Sequence, residues 1–499
     1  MIIRSVHVII IQLFYDMNDL KEFKFKPRII NPVKITKASI FSADEDVRKT
    51  IDTLKENMPW MDVDIVKDPI SASNYKFDSA SVFIFDDTAM TIVDAARIKK
   101  NNTNTILALL SSNDFIHHSP PTICRERFPY TAKPDLVFAV DRRDYTPDRI
   151  ITAVVRCAED RLNIEKYSKE RRYIFLIVDD EPQWFSQFLP VLYDIIGQRA
   201  NIMTTRTYEE TLKFIFGVEH ESEIDEKSYL SHGHGDDVVC VITDIFFPKG
   251  DNLKSDAGKD LINLINKYYR RIPVIVASRA AVAEDLKNIS FIMPKGDPGS
   301  LQTLENYIHN FTGMGDFLIL DKNGQELYRI KNIREMYEVV LKADKDTDEA
   351  KKLRALLEIY AQKDWFSTWL FMHGYKELGD KLRPRKAKGH RLVTLLKNHL
   401  KREIQRLNYT PLIIDKNKIF NVVDLLGVLR TVSHHKIQKF SDNDLFSTWL
   451  DYQGYPELAE ELRPIHNKGA KLEKILATIV EKWINIYKSR EKSDIIEKL

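Results

Sequence analysis

Residues 174–185 read IFLIVDDEPQWF, and the fold is decided there. Ile174 to Val178 form an unbroken apolar run, and Asp179, Asp180 and Glu181 follow at once. A short apolar run bounded by polar residues is the pattern of a strand buried on both faces. Ending it on three carboxylates is costly, because like charges repel and burial penalises each of them. Either a cation sits among them or the cluster opens to water.

The same pattern recurs on both sides. Downstream, NIMTTRT, VVCVITD (ending on Asp244), IPVIVAS (ending on Ser278) and ISFIMPK (ending on Lys295) read as four further strands with helical segments between them. Upstream, ASIFSA, SVFIFDD, TILALLSS and DLVFAVD alternate with helical runs at DEDVRKTIDTLKENM and around Val93 to Lys100. The run from Thr146 to Arg171 reads as one helix joining the two halves, with Ile150, Val154, Cys157 and Leu162 near one face. Strands alternating with helices predict parallel sheets covered on both faces, in an α/β fold with two doubly wound five-stranded sheets in tandem. The carboxyl ends of such strands form the ligand crevice, so Asp179, Asp180, Asp244, Ser278 and Lys295 are expected at one edge. Three carboxylates suit a hard, oxygen-seeking cation such as Mg2+. A lysine adds a point charge for a phosphate, and a serine hydroxyl can donate to a phosphate oxygen.

The chain has 499 residues, more than one core normally spans. Apolar content of 43% with 30% charged residues argues against wholesale disorder. Lys+Arg, at 75, nearly balances Asp+Glu, at 73, so composition supports neither a general nucleic-acid role nor a membrane-surface one. Cys124, Cys157 and Cys240 are widely spaced and odd in number, which fits a reducing cytoplasm better than a disulfide framework. The opening MIIRSVHVIIIQLF is interrupted by Arg4 and His7 and is too short for a membrane span. It lacks a small-residue cleavage site, so an extra strand or a tail is expected.

Beyond Phe311 helices dominate, and a duplication appears. DWFSTWLFMHGYKELGDKLRPRKAKGHRL (364–392) and DLFSTWLDYQGYPELAEELRPIHNKGAKL (444–472) share 16 of 29 positions. Upstream, Leu320-Asp321-Lys322-Asn323 matches Ile414-Asp415-Lys416-Asn417, so each copy opens on a short apolar segment and an Asn turn. Duplicated units commonly stack and share a core. In each FSTWL, Phe366, Trp369 and Leu370, or Phe446, Trp449 and Leu450, form a helix stripe suited to core packing. Arg383 and Arg463, in the LRP that ends each motif, complement a helix C-terminus, with recognition of a partner's carboxylate or phosphate as the alternative. His434 and His435 read as surface residues.

On the ordered set Asp179, Asp180, Asp244, Pro248, Ser278 and Lys295, residues 172–312 resemble the receiver domain of two-component response regulators. The resemblance implies a flavodoxin-like fold. It implies Mg2+ held by Asp179, Asp180, Asp244 and the backbone carbonyl of Phe246. Asp244 would be the phosphoacceptor, with Ser278 as switch residue and Lys295 as the conserved-type lysine. Arg279, Ile292 (with Phe291 beside it) and Gly296 depart from the usual pattern. Phe246 cannot position an attacking water by hydrogen bonding, so slow dephosphorylation is expected. An insert, roughly Gly217 to Asp237, contains SHGHGDD; His232 and His234 there read as part of a polar loop.

Residues 36–168 resemble the same fold with its chemistry removed. The first strand ends Ser42-Ala43-Asp44, Asp86 takes the phosphoacceptor position and Ser111 the switch position, and Asp141 reverses the lysine's charge, with Arg142 and Arg143 beside it. The segment GMGDFLILDKNGQ…FSTWL…LGDKLRPRK resembles a helical regulatory module found beside receiver-type and phosphoenolpyruvate synthase-like domains. The expected organisation is an N-terminal extension (1–35), a pseudo-receiver (36–168), a receiver (169–312) and helical repeats at 313–410 and 411–499. The resemblance implies a cytoplasmic response regulator, not an enzyme, phosphorylated by a sensor histidine kinase or phosphotransfer protein. Its output would be protein–protein contacts of the repeats, with no nucleic acid or membrane partner and room for a homodimer through the receivers. A non-switching scaffold or phosphate sink, and a regulatory subunit of a PEP-utilising phosphotransferase, are the alternatives.

Overall fold

The computed structural model describes residues 33–42, 45–58, 61–66, 81–86, 105–111, 135–139, 146–166, 173–196, 200–224, 233–269, 272–278, 289–295, 298–321, 323–373, 375–383, 387–408, 411–442, 445–462, 465 and 471–497. The chain divides into two compact units, Ile29–Thr312 and a unit that includes Gly313–Leu499.

The first unit holds two parallel five-stranded sheets. One comprises β1 (Lys37–Phe41), β2 (Asp62–Val66), β3 (Ser81–Asp86), β4 (Ile106–Ser111) and β5 (Leu136–Ala139), in the order β2-β1-β3-β4-β5. β2 is the strand that pattern reading passes over: DVDIV alternates charged and apolar residues, as an edge strand can. The other comprises β6 (Ile174–Val178), β7 (Asn201–Thr205), β8 (Val238–Thr243), β11 (Val274–Ser278) and β12 (Phe291–Pro294), in the order β7-β6-β8-β11-β12. Between β8 and β11 lies a small antiparallel ribbon, β9 (Phe247–Lys249) and β10 (Asn252–Ser255). The central strands β6 and β8 are buried throughout, which is why IFLIV and VVCVIT carry no polar alternation. Numbered along the chain, each sheet has the order 2-1-3-4-5.

The expected joining helix runs Pro147–Lys166, but it is not simply amphipathic. Ile150, Ile151, Val154, Val155, Cys157 and Ala158 are all buried, whereas Leu162 is only half-buried. Two sets of polar contacts explain the burial around most of its circumference. Glu159 accepts Ile35 N–H at 2.9 Å and Asn163 accepts Val33 N–H at 3.0 Å, which ties the helix to the entry of β1. Asp160 accepts from Tyr193 Oη at 3.0 Å, Asn201 Nδ2 at 2.6 Å and Ile202 N–H at 2.8 Å, which ties it to the second sheet. Val137 N–H on edge strand β5 donates to Ser186 Oγ at 3.1 Å, and Arg206 donates to the Asp135 carbonyl at 2.9 Å. The two α/β halves are thus packed into one unit. The helical run DEDVRKTIDTLKENM is broken into Glu45–Lys49 and Ile51–Asn57. The Val93 to Lys100 helix and the N-terminal extension up to residue 32 lie outside the described residues.

In the second unit each repeat has its own core. Short hairpins β13 (Phe317–Leu320) with β14 (Glu326–Ile330), and β15 (Leu412–Ile414) with β16 (Asn417–Ile419), open the two copies. Trp369 and Leu370 lie at the centre of one core and Trp449 and Leu450 of the other, as their helical spacing predicts. The copies correspond down to their caps. Asn332 accepts Arg334 and Glu335 N–H while Glu335 accepts Lys331 N–H at 2.8 Å. Asn421 accepts Val423 and Asp424 N–H while Asp424 accepts Phe420 N–H at 3.0 Å. Such reciprocal caps satisfy helix donors that would otherwise lack partners. No helix among the described residues is long and apolar enough to cross a membrane.

Candidate functional site

Three backbone links fix the carboxyl edge of the second sheet. Asp179 N–H donates to the Thr205 carbonyl at 3.0 Å, Asp244 N–H to Val178 at 2.9 Å, and Lys295 N–H to Ser278 at 3.1 Å. Every strand end carrying a candidate residue is therefore tied to its neighbour. The loop after Asp244 is braced too: Gly250 N–H donates to Glu209 at 2.9 Å, and Phe247 is wholly buried.

The cation that the carboxylates require is Lys295. Its Nζ lies 2.6 Å from Asp179 Oδ2 and 2.6 Å from Asp244 Oδ2. Asp179, Asp180 and Ser278 are buried with it. The other Asp244 oxygen, Oδ1, accepts Ile245 N–H at 2.6 Å, and Asp179 Oδ1 accepts Glu181 N–H at 2.9 Å. Burial pushes the Asp179 carboxyl up to about 7; Lys295 opposes this and the Asp244 charge adds to it. Burial alone would lower Lys295, but the charges of Asp179 and Asp244 outweigh it and hold the ammonium above its ordinary value. The arrangement presents a carboxylate on Asp244 with a fixed positive charge against it.

Glu181, the third member of the opening cluster, is drawn elsewhere. Its Oε2 accepts Trp184 Nε1 at 2.8 Å, one helical turn on. Asp179, Asp180 and Asp244 do not form a ready-made cage: among the described residues no group of three or more His, Cys, Asp or Glu is placed to hold a metal ion. The donors fit Mg2+ chemically all the same, because all are oxygens and Mg2+ usually takes one or two carboxylates and keeps several waters. Phe246 is exposed beside them, as is Ile292 on edge strand β12. The side chain of Phe291 lies outside the described residues, as do Arg279 and Gly296.

In the first half Ser42 Oγ donates to Asp86, and both are buried. A hydroxyl at the position that follows β1, as Asp179 follows β6, thus stands against the carboxylate. Asp141, Arg142, Arg143 and the Ser111 side chain lie outside the described residues. His234 stacks on Phe214 with ring centroids 4.9 Å apart. Side chains at Gly233 and Gly235 would overlap the Ile215 carbonyl and the Tyr269 ring, so these two glycines of SHGHGDD serve close packing. His232 and Arg463 lie outside the described residues. His434 and His435 sit together at the start of helix His434–Asp442, and His435 is exposed.

No protein-family model matches the chain, and no curated protein matches it. Among solved structures, a protein provisionally described as sugar-binding, from Salmonella typhimurium LT2, is 12% identical over 55% of this chain and 88% of its own, with a TM-score of 0.19. One provisionally described as a phosphosugar isomerase, from Clostridium difficile 630, is 13% identical over 56% of this chain and 82% of its own, with a TM-score of 0.17. Both likenesses are too weak to extend to the fold or function of this chain.

Proposed function

We propose that the chain is a phosphoacceptor signalling protein of the response-regulator type, with a flavodoxin-like receiver at 169–312 and Asp244 as acceptor. The observation that carries this reading is Lys295 Nζ at 2.6 Å from both Asp179 and Asp244, at the carboxyl edge of a parallel sheet of order 2-1-3-4-5. An Asp244 oxygen attacks the phosphorus of a phosphodonor in line. The O–P bond forms as the bond to the leaving group breaks, and the electron pair departs with that group. Lys295 offsets the negative charge that gathers on the phosphoryl oxygens, and Ser278, at the end of the neighbouring strand, would donate its hydroxyl to one of them. Asp179, Asp180, Asp244 and the Phe246 carbonyl would hold Mg2+, which supplies further charge neutralisation at those oxygens. The phosphodonor would be a histidine kinase or phosphotransfer protein, and the helical repeats would carry the output to a partner protein.

The test is incubation of the purified protein with acetyl phosphate and Mg2+, read on a phosphate-affinity gel beside Asp244→Ala. Phosphate on the native chain and none on the variant is the expected result. Equal labelling of both, or none on either, would refute the reading.

A further inference from the structure

Charge in this chain is balanced overall but unevenly spread. Between Arg383 and Arg406 stand nine Lys or Arg and a single acidic residue, Glu403. Most of this stretch forms the helix Gly389–Asn408, whose apolar side (Leu392, Val393, Leu396, Leu400) is buried in the first repeat's core. Several of its cations are engaged: Lys397 pairs with Asp344, Arg406 reaches Glu377 at 3.3 Å and Glu403 at 3.5 Å, and Arg402 also has a partner. Lys388, Arg391, Lys401 and Arg402 are exposed, and among the described residues no ion pair engages Lys388, Arg391 or Lys401.

Every exposed residue of this helix from His390 to Gln405 is basic or an uncharged polar residue. At 3.6 residues per turn, the exposed positions fall within about 120° of arc, and Arg391 to Gln405 extends about 20 Å along the axis. Ordinary solvated faces mix signs. The duplicate helix, Leu472–Glu497, does so: exposed Glu481 pairs with Arg430 at 2.8 Å and Lys482 with Glu461 at 2.8 Å. The first copy thus presents an exposed face without acidic residues, in which no ion pair engages Lys388, Arg391 or Lys401 among the described residues, where the second copy mixes signs.

We infer that the exposed face of helix Gly389–Asn408 binds the phosphate backbone of nucleic acid. The side-chain chemistry favours this partner over an acidic polypeptide. Arg, Lys, Asn and Gln, here Arg391, Asn398, Lys401, Arg402 and Gln405, are the types that contact phosphate oxygens, and the amides add donors between the cations. A rigid, single-signed stripe suits a polyanion whose own charges are closely and regularly spaced. The contact is with the backbone, so sequence selectivity is not expected of it. The proposal departs from the expectation of no nucleic-acid partner, which rested on overall composition. It is independent of Asp244, and its failure would leave the phosphoacceptor reading untouched.

The experiment measures fluorescence anisotropy of labelled DNA duplex, RNA duplex and single strands with the full chain across a salt series. The variants are Lys388→Gln/Arg391→Gln/Lys401→Gln together and, as a charge control, Lys474→Gln in the second repeat; circular dichroism checks the fold of each. Binding of any of the three nucleic acids that weakens with salt is expected. The triple variant should bind roughly tenfold more weakly with a salt slope shallower by about 2–3, since each lost phosphate contact removes about 0.9 from it. Lys474→Gln should bind as the native chain does. No binding at low salt, or undiminished binding by a correctly folded triple variant, would overturn the proposal. So would polyglutamate competing as well as nucleic acid at equal charge, which would identify an acidic protein as the partner.

Discussion

At the scale of single residues, Lys295 satisfies two carboxylates with one ammonium. Lys295→Ala leaves Asp179 and Asp244 facing each other without a cation, and the expected loss near pH 8 is about 3 kcal/mol. The loss should shrink near pH 5, where Asp179 can take up a proton instead; urea midpoints at the two pH values measure both. Asp179 alone has a signed pH effect. Its folded pKa, about 7, lies above the unfolded carboxyl value near 4, so the folded state holds the extra proton between them. This contribution is fully present below pH 4 and is lost as the pH rises towards 7, and Asp179→Asn should flatten the stability slope across that window. Asp179, Asp244, Ser278 and Lys295 were legible because each closes an apolar run, and strand ends in a parallel sheet share an edge. The partner of Glu181 was not legible, because three adjacent carboxylates look alike in sequence. The one available signal was Trp184, an indole donor one helical turn on.

At the scale of elements, the helix Ala257–Tyr268 is pressed against the loop that carries Asp244. A side chain at Gly258 would overlap the Asp244 carbonyl, and the obstacle is backbone that cannot swing aside. Gly258→Ala should cost about 2 kcal/mol in urea unfolding and reduce phosphate uptake by displacing Asp244. Gly427, inside helix Val422–Thr431, has nothing within 4 Å of an added methyl. Gly427→Ala should therefore stabilise by about 0.5–1 kcal/mol, seen as a higher thermal midpoint. Nine of the ten strands in the two large sheets could be read from their apolar runs. DVDIV could not, because an edge strand alternating with aspartates resembles a loop. The glycines of SHGHGDD were opaque for a different reason: the ring and the carbonyl they admit come from distant segments.

At the scale of the whole molecule, periodicity announced two α/β halves but not their fusion. Asp160 reads as an ordinary charge on a helix face, yet it is fully buried and accepts three hydrogen bonds from the second half. The apolar pattern of Ile150, Val154 and Cys157 described one packed face; the second became visible only when Tyr193, Asn201 and Ile202 arrived against it. Asp160→Ala would strand the Asn201 amide and the Ile202 N–H, at a cost of about 3 kcal/mol. Hydrogen exchange at the Ile202 amide should then accelerate at least tenfold, while Val241, deep in the same sheet, keeps its protection. A carboxylate shared in this way also bears on heredity. A recombination crossover between residues 166 and 173 would pass the second half to a new host without the Asp160 to which Tyr193, Asn201 and Ile202 donate. Those three donors would lose their shared acceptor at a stroke, so the second half is expected to be less stable when grafted without the helix that carries Asp160.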